Sequence, residues 1–246
     1  MYVDSHCHLT HKQFAGDVES VIQRAKSAKL TRAYCTGGML GHDQTVLKLC
    51  AKHAGFLRPV IGISPHDANR VTVEQKEAIF SLIEKNRSKL AGIGEIGLDF
   101  HYFKTEEEQK KQEILFREEI ELARTLNLPI IIHSRKAEER VLDILEEVKY
   151  HNFAMHCFMV KNSAKRVIDL GGLISLPTIK SKEKKYIIKQ FEADKFLCET
   201  DSPYLWQGRN EPLNVLSVYN EIAFEKGKKI EEIGEIVLQN VNAFFR

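Results

Sequence analysis

Short apolar runs, nearly all of them separated by stretches of helical periodicity, set the rhythm of the chain. The first run begins at Tyr2 and carries Asp4-Ser5-His6-Cys7-His8-Leu9. Phe14, Val18, Val21, Ile22 and Ala25 then recur at helical spacing, and Arg32 to Thr36 reads as a second strand closed by Gly37-Gly38. The pattern predicts a helix near Gln44 to His53, a strand Leu57 to Ile63, a helix Val73 to Arg87 and a strand Ala91 to Ile96. A long helix follows from about Thr105 to Leu126, where Thr105 is a candidate N-cap and Glu106-Glu107-Glu108 suit the positive end of the helix dipole. Beyond it the pattern predicts a strand Pro129 to His133, a helix Ala137 to Val148, a strand Phe153 to Cys157 and a helix Ser163 to Leu170. A strand Leu173 to Leu176, a lysine-rich helix Lys182 to Phe191, a strand Lys195 to Thr200 and helices near Leu213 to Glu225 and Ile230 to Phe244 complete the chain.

Eight strand-like segments, with no long linker or low-complexity tract between them, predict an α/β fold in which residues 1–246 form one (β/α)8 TIM barrel. An open doubly wound sheet is the runner-up, and no Gly-x-Gly-x-x-Gly follows any strand to support it. An apolar content of 43% is ample for a large core. Lys and Arg number 36 against 34 Asp and Glu, so bulk charge neither favours nor disfavours a polyanionic partner. A nucleic-acid site would need local charge or metal. The lysine-rich stretch Lys180-Ser181-Lys182-Glu183-Lys184-Lys185 reads as a solvated helix face, with a phosphate-tracking patch as the alternative. Five cysteines, odd in number and without Cys-x-x-Cys spacing, suit reduced thiols in a cytoplasmic protein. No secretory leader and no apolar run of membrane-spanning length is expected, and no obligatory protein partner is evident.

The chemistry-bearing residues fall at one end of the predicted barrel. His6 and His8 close strand one, Glu95 lies in Gly92-Ile93-Gly94-Glu95-Ile96-Gly97 on strand four, His133 ends strand five, His156 ends strand six and Asp201 follows strand eight. Barrels of this kind build their active sites at the C-terminal ends of their strands. Buried ionisable groups are costly unless paired or metal-bound, so six such residues at one rim point to a metal site. Nitrogen and oxygen donors without cysteine favour a hydrolytic Zn, Mg or Mn centre. Six are more than one tetrahedral catalytic ion needs, which suggests two divalent ions with Glu95 between them. Such ions would activate a water for attack on a phosphoryl group, and Asp201 would ligate one ion and accept the water's proton. Gly94 and Gly97 would let backbone and substrate come close to Glu95.

These residues stand in motifs that resemble the TatD-like metal-dependent deoxyribonucleases of the amidohydrolase superfamily. The resemblance rests on Asp4-Ser5-His6-Cys7-His8-Leu9, Gly94-Glu95-Ile96-Gly97-Leu98-Asp99, Leu128-Pro129 through His133-Ser134-Arg135, His156-Cys157-Phe158, Glu199-Thr200-Asp201-Ser202-Pro203-Tyr204 and Arg209-Asn210-Glu211-Pro212. It implies a divalent-metal site in which His6, His8, Glu95, His133, His156 and Asp201 match ligand positions. It also implies hydrolysis of DNA phosphodiester bonds, typically exonucleolytic from the 3′ end, with single-stranded DNA ends as the expected substrate. Three departures fall around the mouth: Ser64-Pro65-His66 replaces the usual His-Pro-His, Met159-Val160 replaces a frequent Ser-Gly, and the loop before Arg209 looks short.

Around that mouth Arg135 and Arg209 are candidates to hold phosphates through forked hydrogen bonds, and His66 to donate to a phosphate oxygen. Tyr102, Phe103, Tyr204 and Trp206 are candidates to stack on bases, and His101 reads equally as a residue near the site or a surface residue. The competing function is an amidohydrolase cutting a small ester, lactone, amide or phosphotriester. Such relatives often bridge their ions with a carboxylated lysine, and Glu95 argues against that chemistry. A catalytically silent, metal-stabilised protein that binds nucleic-acid ends is a third reading, and the intact ligand set counts against it.

Overall fold

Most of the predicted strands are apolar on both faces, and a strand of that kind persists only where both faces are covered. The structure, a computed structural model that describes residues 1–38 and 41–245, covers them with helices outside and with one another inside. Strands β1 (Tyr2–Cys7), β2 (Leu30–Gly38), β3 (Leu57–Ile63), β4 (Gly92–Asp99), β5 (Ile130–Arg135), β6 (Phe153–Met155), β7 (Leu173–Leu176) and β8 (Phe196–Cys198) lie side by side in sequence order. Every pairing between neighbours is parallel. The crossovers carry α1 (Val18–Ser27), α2 (Asp43–Lys52), α3 (Val73–Asn86), α4 (Glu106–Leu126), α5 (Glu138–Val148), α6 (Lys161–Asp169) and α7 (Lys182–Gln190), and α8 (Leu216–Lys226) and α9 (Ile230–Phe244) follow β8. This is the (β/α)8 barrel that the alternation of patterns predicts.

Local signals explain several boundaries. Thr105 caps α4 by accepting from the Glu108 amide at 3.3 Å, and Glu108 reaches back to the Thr105 amide at 3.1 Å, a reciprocal box worth about 1 kcal/mol. The helix then buries Leu115, Phe116, Ile120 and Ala123 on one face. Strand β4 runs three residues past Ile96, to Asp99, because its ladder with β5 continues to the pair Asp99–Arg135. Gly97 permits this at φ 132°, where a Cβ would collide with the His133 carbonyl oxygen. A glycine that looks like a strand end is therefore a point of close strand contact. Conversely, β6 and β8 are short and end just before His156 and Glu199. The helix expected over Leu213 to Glu225 begins as a 3-10 turn, Pro212–Val215, because proline starts a helix but donates no amide.

The barrel closes at its C-terminal rim. Beyond β8 the chain crosses to β1, where the Asp201 amide donates to the His6 carbonyl at 3.0 Å and the His8 amide donates to the Ser202 carbonyl at 2.7 Å. Buried Asp4 reinforces the seam by accepting from the Thr200 amide at 2.9 Å and bonding its hydroxyl at 2.6 Å. All five cysteines are free thiols, and Cys157 alone is not fully buried. No helix among the described residues is long and apolar enough to cross a membrane.

Candidate metal centre

Closing the seam through residues 6–8 and 201–202 puts two imidazoles and a carboxylate in one place. His6 Nε2 and His8 Nε2 lie 3.1 Å apart, and Asp201 Oδ1 is 3.2 Å from His8 Nε2 and 3.7 Å from His6 Nε2. Strands β4, β5 and the turn after β6 deliver a second group. Glu95 Oε2 lies 3.3 Å from both His133 Nδ1 and His156 Nε2, while Glu95 Oε1 lies 3.7 Å from His8 Nε2. Glu95 thus faces both groups, one oxygen to each. All six residues predicted at the rim are brought together.

Each imidazole is held from behind. His8 Nδ1 donates to the Thr36 carbonyl at 3.1 Å, His133 Nε2 donates to Asp99 Oδ2 at 3.1 Å, and His156 Nδ1 donates to Glu199 Oε1 at 3.0 Å. His6 Nδ1 lies 3.4 Å from the Thr36 hydroxyl. A proton on the outer nitrogen leaves the inner nitrogen as a lone pair, so the inward atoms of these rings are acceptors converging on acceptors. Two imidazole lone pairs at 3.1 Å, with the Asp201 carboxylate beside them, repel one another unless a cation sits among them. The side chains present therefore fit divalent metal. Nitrogen and carboxylate donors with no thiolate suit Zn, Mn or Mg.

Without metal, protons take that place. Burial disfavours charge on His156, but the Glu199 carboxylate and then Glu95 outweigh it and push its pKa up to about 10. Burial likewise opposes a charge on His8, yet Asp201 and Glu95 raise it to about 9. His133 is raised against the same penalty by its bonds to Asp99 and Glu95. His6 goes the other way, pushed well down by burial and by the neighbouring imidazoles. Burial works to raise the Glu95 carboxyl, but His133 and His156 hold it well below the usual range. Burial raises Glu199 despite the opposing pull of His156.

Two supporting carboxylates have no role in the sequence reading. Asp99, fully buried, accepts from the His101 and Tyr102 amides at 2.9 and 3.0 Å through one oxygen, and from His66 and His133 through the other. Glu199, also fully buried, accepts from the Cys157 amide at 2.7 Å and from the Ser175 hydroxyl as well as from His156. Each stands an even number of residues from a rim acid, Glu95 or Asp201, on the same run of chain. Strand alternation along β4 was the available signal for Asp99, whereas Glu199 and Asp201 lie beyond the end of β8, where alternation does not apply.

The expected substrate contacts divide. His66 stands at the edge of the cluster, 2.9 Å from Asp99, with its side chain 43% exposed. Arg135 is exposed and lies over the ring of Tyr102, 5.0 Å from its centroid. Tyr102, Tyr204 and Trp206 are exposed, Tyr204 with its ring 6.0 Å from that of His8, while Phe103 and His101 are half-buried. Arg209 is not brought to the cluster. Its guanidinium grips both oxygens of Asp17 at 2.7 Å, bonds Glu211 at 2.8 Å and the Gln13 carbonyl at 2.8 Å, and lies over Phe14. Carboxylates supplied by this chain already occupy the fork expected to hold a phosphate. Gly94 and Gly97 make room for backbone, as expected, and the backbone they admit is that of β5.

Comparison with known proteins agrees with this geometry. The family model described as TatD related DNase matches residues 3–246. The chain is 34% identical to a Bacillus subtilis protein named an uncharacterized metal-dependent hydrolase, YabD, covering 100% of this chain and 99% of that one. It is 30% identical to the 3′-5′ ssDNA/RNA exonuclease TatD of Pantoea vagans, over 97% of this chain and 96% of that one. Its fold matches the crystal structure of YJJV, a TatD homolog from Escherichia coli, with a TM-score of 0.90 at 24% identity, covering 99% of this chain and 97% of that one.

Proposed function

The chain belongs to the family of TatD-related DNases and is a metal-dependent deoxyribonuclease, and from that premise we propose that it shortens single-stranded DNA from the 3′ end at a two-ion centre. In this reading His6, His8 and Asp201 would hold one divalent ion, His133 and His156 would hold the other, and Glu95 would serve both. The convergence of inner lone pairs on Glu95 and Asp201, with outer nitrogens of the rings tied back, is the observation that carries it. Divalent ions bound there supply Lewis acidity, which lowers the pKa of water and neutralises charge developing on a phosphoryl group.

The residues themselves perform the remaining work. Asp201 turns one oxygen to the histidines, and its second accepts the proton of the attacking water. Thr36, Asp99 and Glu199 fix the ring orientations, so little reorganisation accompanies the reaction. His66 and Arg135, both at the mouth, donate to phosphate oxygens of the bound strand. Exposed Tyr102 and Tyr204 offer faces on which bases stack without regard to sequence.

The test is digestion of an end-labelled single-stranded oligonucleotide by metal-stripped protein, with Mg, Mn or Zn restored in turn and Asp201→Ala in parallel. A ladder receding from the 3′ end, dependent on metal and absent in the variant, supports the assignment. Internal cuts, recession from the 5′ end or an active Asp201→Ala variant would sink it.

A further inference from the structure

On the outer faces of the barrel helices many charges are paired, although exposed Lys26, Lys48, Lys85 and Lys110 make no ion pair among the described residues. Lys111 pairs with Glu107, Arg140 with Glu113, Arg166 with Glu139, Asp143 and Glu146, and Lys185 with Glu225. At the catalytic rim unpaired cations are gathered on one side. Along the edge that follows β4 to β7 stand Lys104, Arg135, Lys136, Lys161, Lys180 and Lys182, all exposed, and none of the six pairs with a carboxylate among the described residues. The acids nearest that edge belong to the helices, in the first turns of α4, α5 and α7. Across the mouth, on the loops after β8, β1 and β3, Arg209 is taken up by Asp17 and Glu211, and Arg70 by Asp67. Lys12 is the remaining exposed lysine there.

The lysine-rich stretch that reads as one solvated face is divided by the fold. Lys184 is buried and held by Glu221 and the Pro177 carbonyl, each at 2.8 Å, and Lys185 goes to Glu225, whereas Lys180 and Lys182 stay free at the rim. Lys161 and Lys182 are the first residues of their helices, where the dipole already presents positive charge, and α6 has no acid in its first turn. An anion lying across cations so placed is favoured by both the side chains and the helix ends.

Resting on the nuclease reading above, we propose that the strand beyond the bond being cut leaves the mouth over this edge. Its phosphates pass Arg135 and Lys136, then Lys161, then Lys180 and Lys182. The order follows from the adjacency of β5, β6 and β7 in the sheet, and a Ser181–Met159 contact at 3.6 Å joins the last two loops. The occupant is a single-stranded polynucleotide at least several residues long.

The experiment compares a triple charge reversal, Lys161→Glu with Lys180→Glu and Lys182→Glu, against Lys12→Glu on the opposite side. Each is assayed on a 20-residue oligonucleotide and on a dinucleotide over a range of salt. We expect the triple variant to raise KM for the long substrate by about tenfold or more and to flatten its salt dependence, since each lost phosphate contact on a single strand removes about 0.7 from the log–log slope. Dinucleotide cleavage should stay unchanged, and Lys12→Glu should stay near the parent on both substrates. An unchanged KM for the long substrate, an equal loss on both substrates, or an equal effect of Lys12→Glu would overturn the track. Failure of the parent protein to cut either substrate would instead overturn the nuclease reading.

Discussion

On the two-ion reading, replacing Asp99 by Asn changes one heavy atom and should disarm His133, a proposed metal ligand that Asp99 holds from behind. Asp99 is fully buried and receives four donors: two loop amides on Oδ1, and the His66 and His133 rings on Oδ2. An asparagine side chain has one oxygen. If that oxygen stays with the His101 and Tyr102 amides, which have no other state, the new NH2 group faces His133 Nε2. That nitrogen must then become an acceptor, and the imidazole proton moves to Nδ1, the atom 3.3 Å from Glu95 and aimed at the centre. Outer partners of this kind are worth about 10–100-fold in metal affinity, or about 1.4–2.7 kcal/mol. The measurement is calorimetric titration of the metal-stripped variant, with circular dichroism to show that it folds. His66→Ala is the control, because it removes the other ring from the same oxygen and leaves the His133 tautomer alone. Asp99→Asn that is folded and binds metal as tightly as the parent protein would refute the reasoning.

Glu95→Gln should lower kcat on the order of a thousandfold and reduce bound metal from two equivalents per chain, read by elemental analysis after dialysis; retention of both equivalents would count against a shared carboxylate. Metal affinity should rise between pH 6 and pH 9, since ions must displace protons from His8 and His156, whose pKa values are raised to about 9 and about 10 in the metal-free protein. The same shifts set the stability of that metal-free form: their contribution is complete below the unfolded histidine value near 6.5 and is lost as pH climbs through 9 and 10, which thermal melts with and without chelator would reveal. Arg209→Ala should lower Tm by about 2–4 °C while leaving dinucleotide cleavage nearly intact, because its fork ties Asp17 to Glu211 rather than holding substrate. A selective loss of cleavage at unchanged Tm would return Arg209 to the mouth.

Much of the barrel is legible in the chain because its signals are local. Period-2 and period-3.6 patterns place the strands and the helices around them, and Thr105 with Glu108 marks the start of α4 in the way that capping demands. The rim histidines are legible for a related reason, since strand ends in this fold share one face. What escapes is what depends on partners distant in sequence. Nothing near Arg209 shows that Asp17, 192 residues earlier, will occupy it. Strand β4 outlasts its predicted end because of β5, and Gly97 resembles a break until the His133 carbonyl lies against it. Lys184 and Lys182 differ by two positions in one basic run, yet only three-dimensional neighbours decide that the first is buried and the second free.

The seam between β1 and the chain beyond β8 also bears on biosynthesis. His6 is synthesised long before Asp201, yet the Asp201 amide donates to the His6 carbonyl at 3.0 Å and the His8 amide to the Ser202 carbonyl at 2.7 Å. On the two-ion reading, a nascent chain that stops short of Asp201 would lack part of the proposed ligand set and the seam that positions it. The nuclease would then be inert until Asp201 is in place. Arming it and finishing its barrel would be a single event.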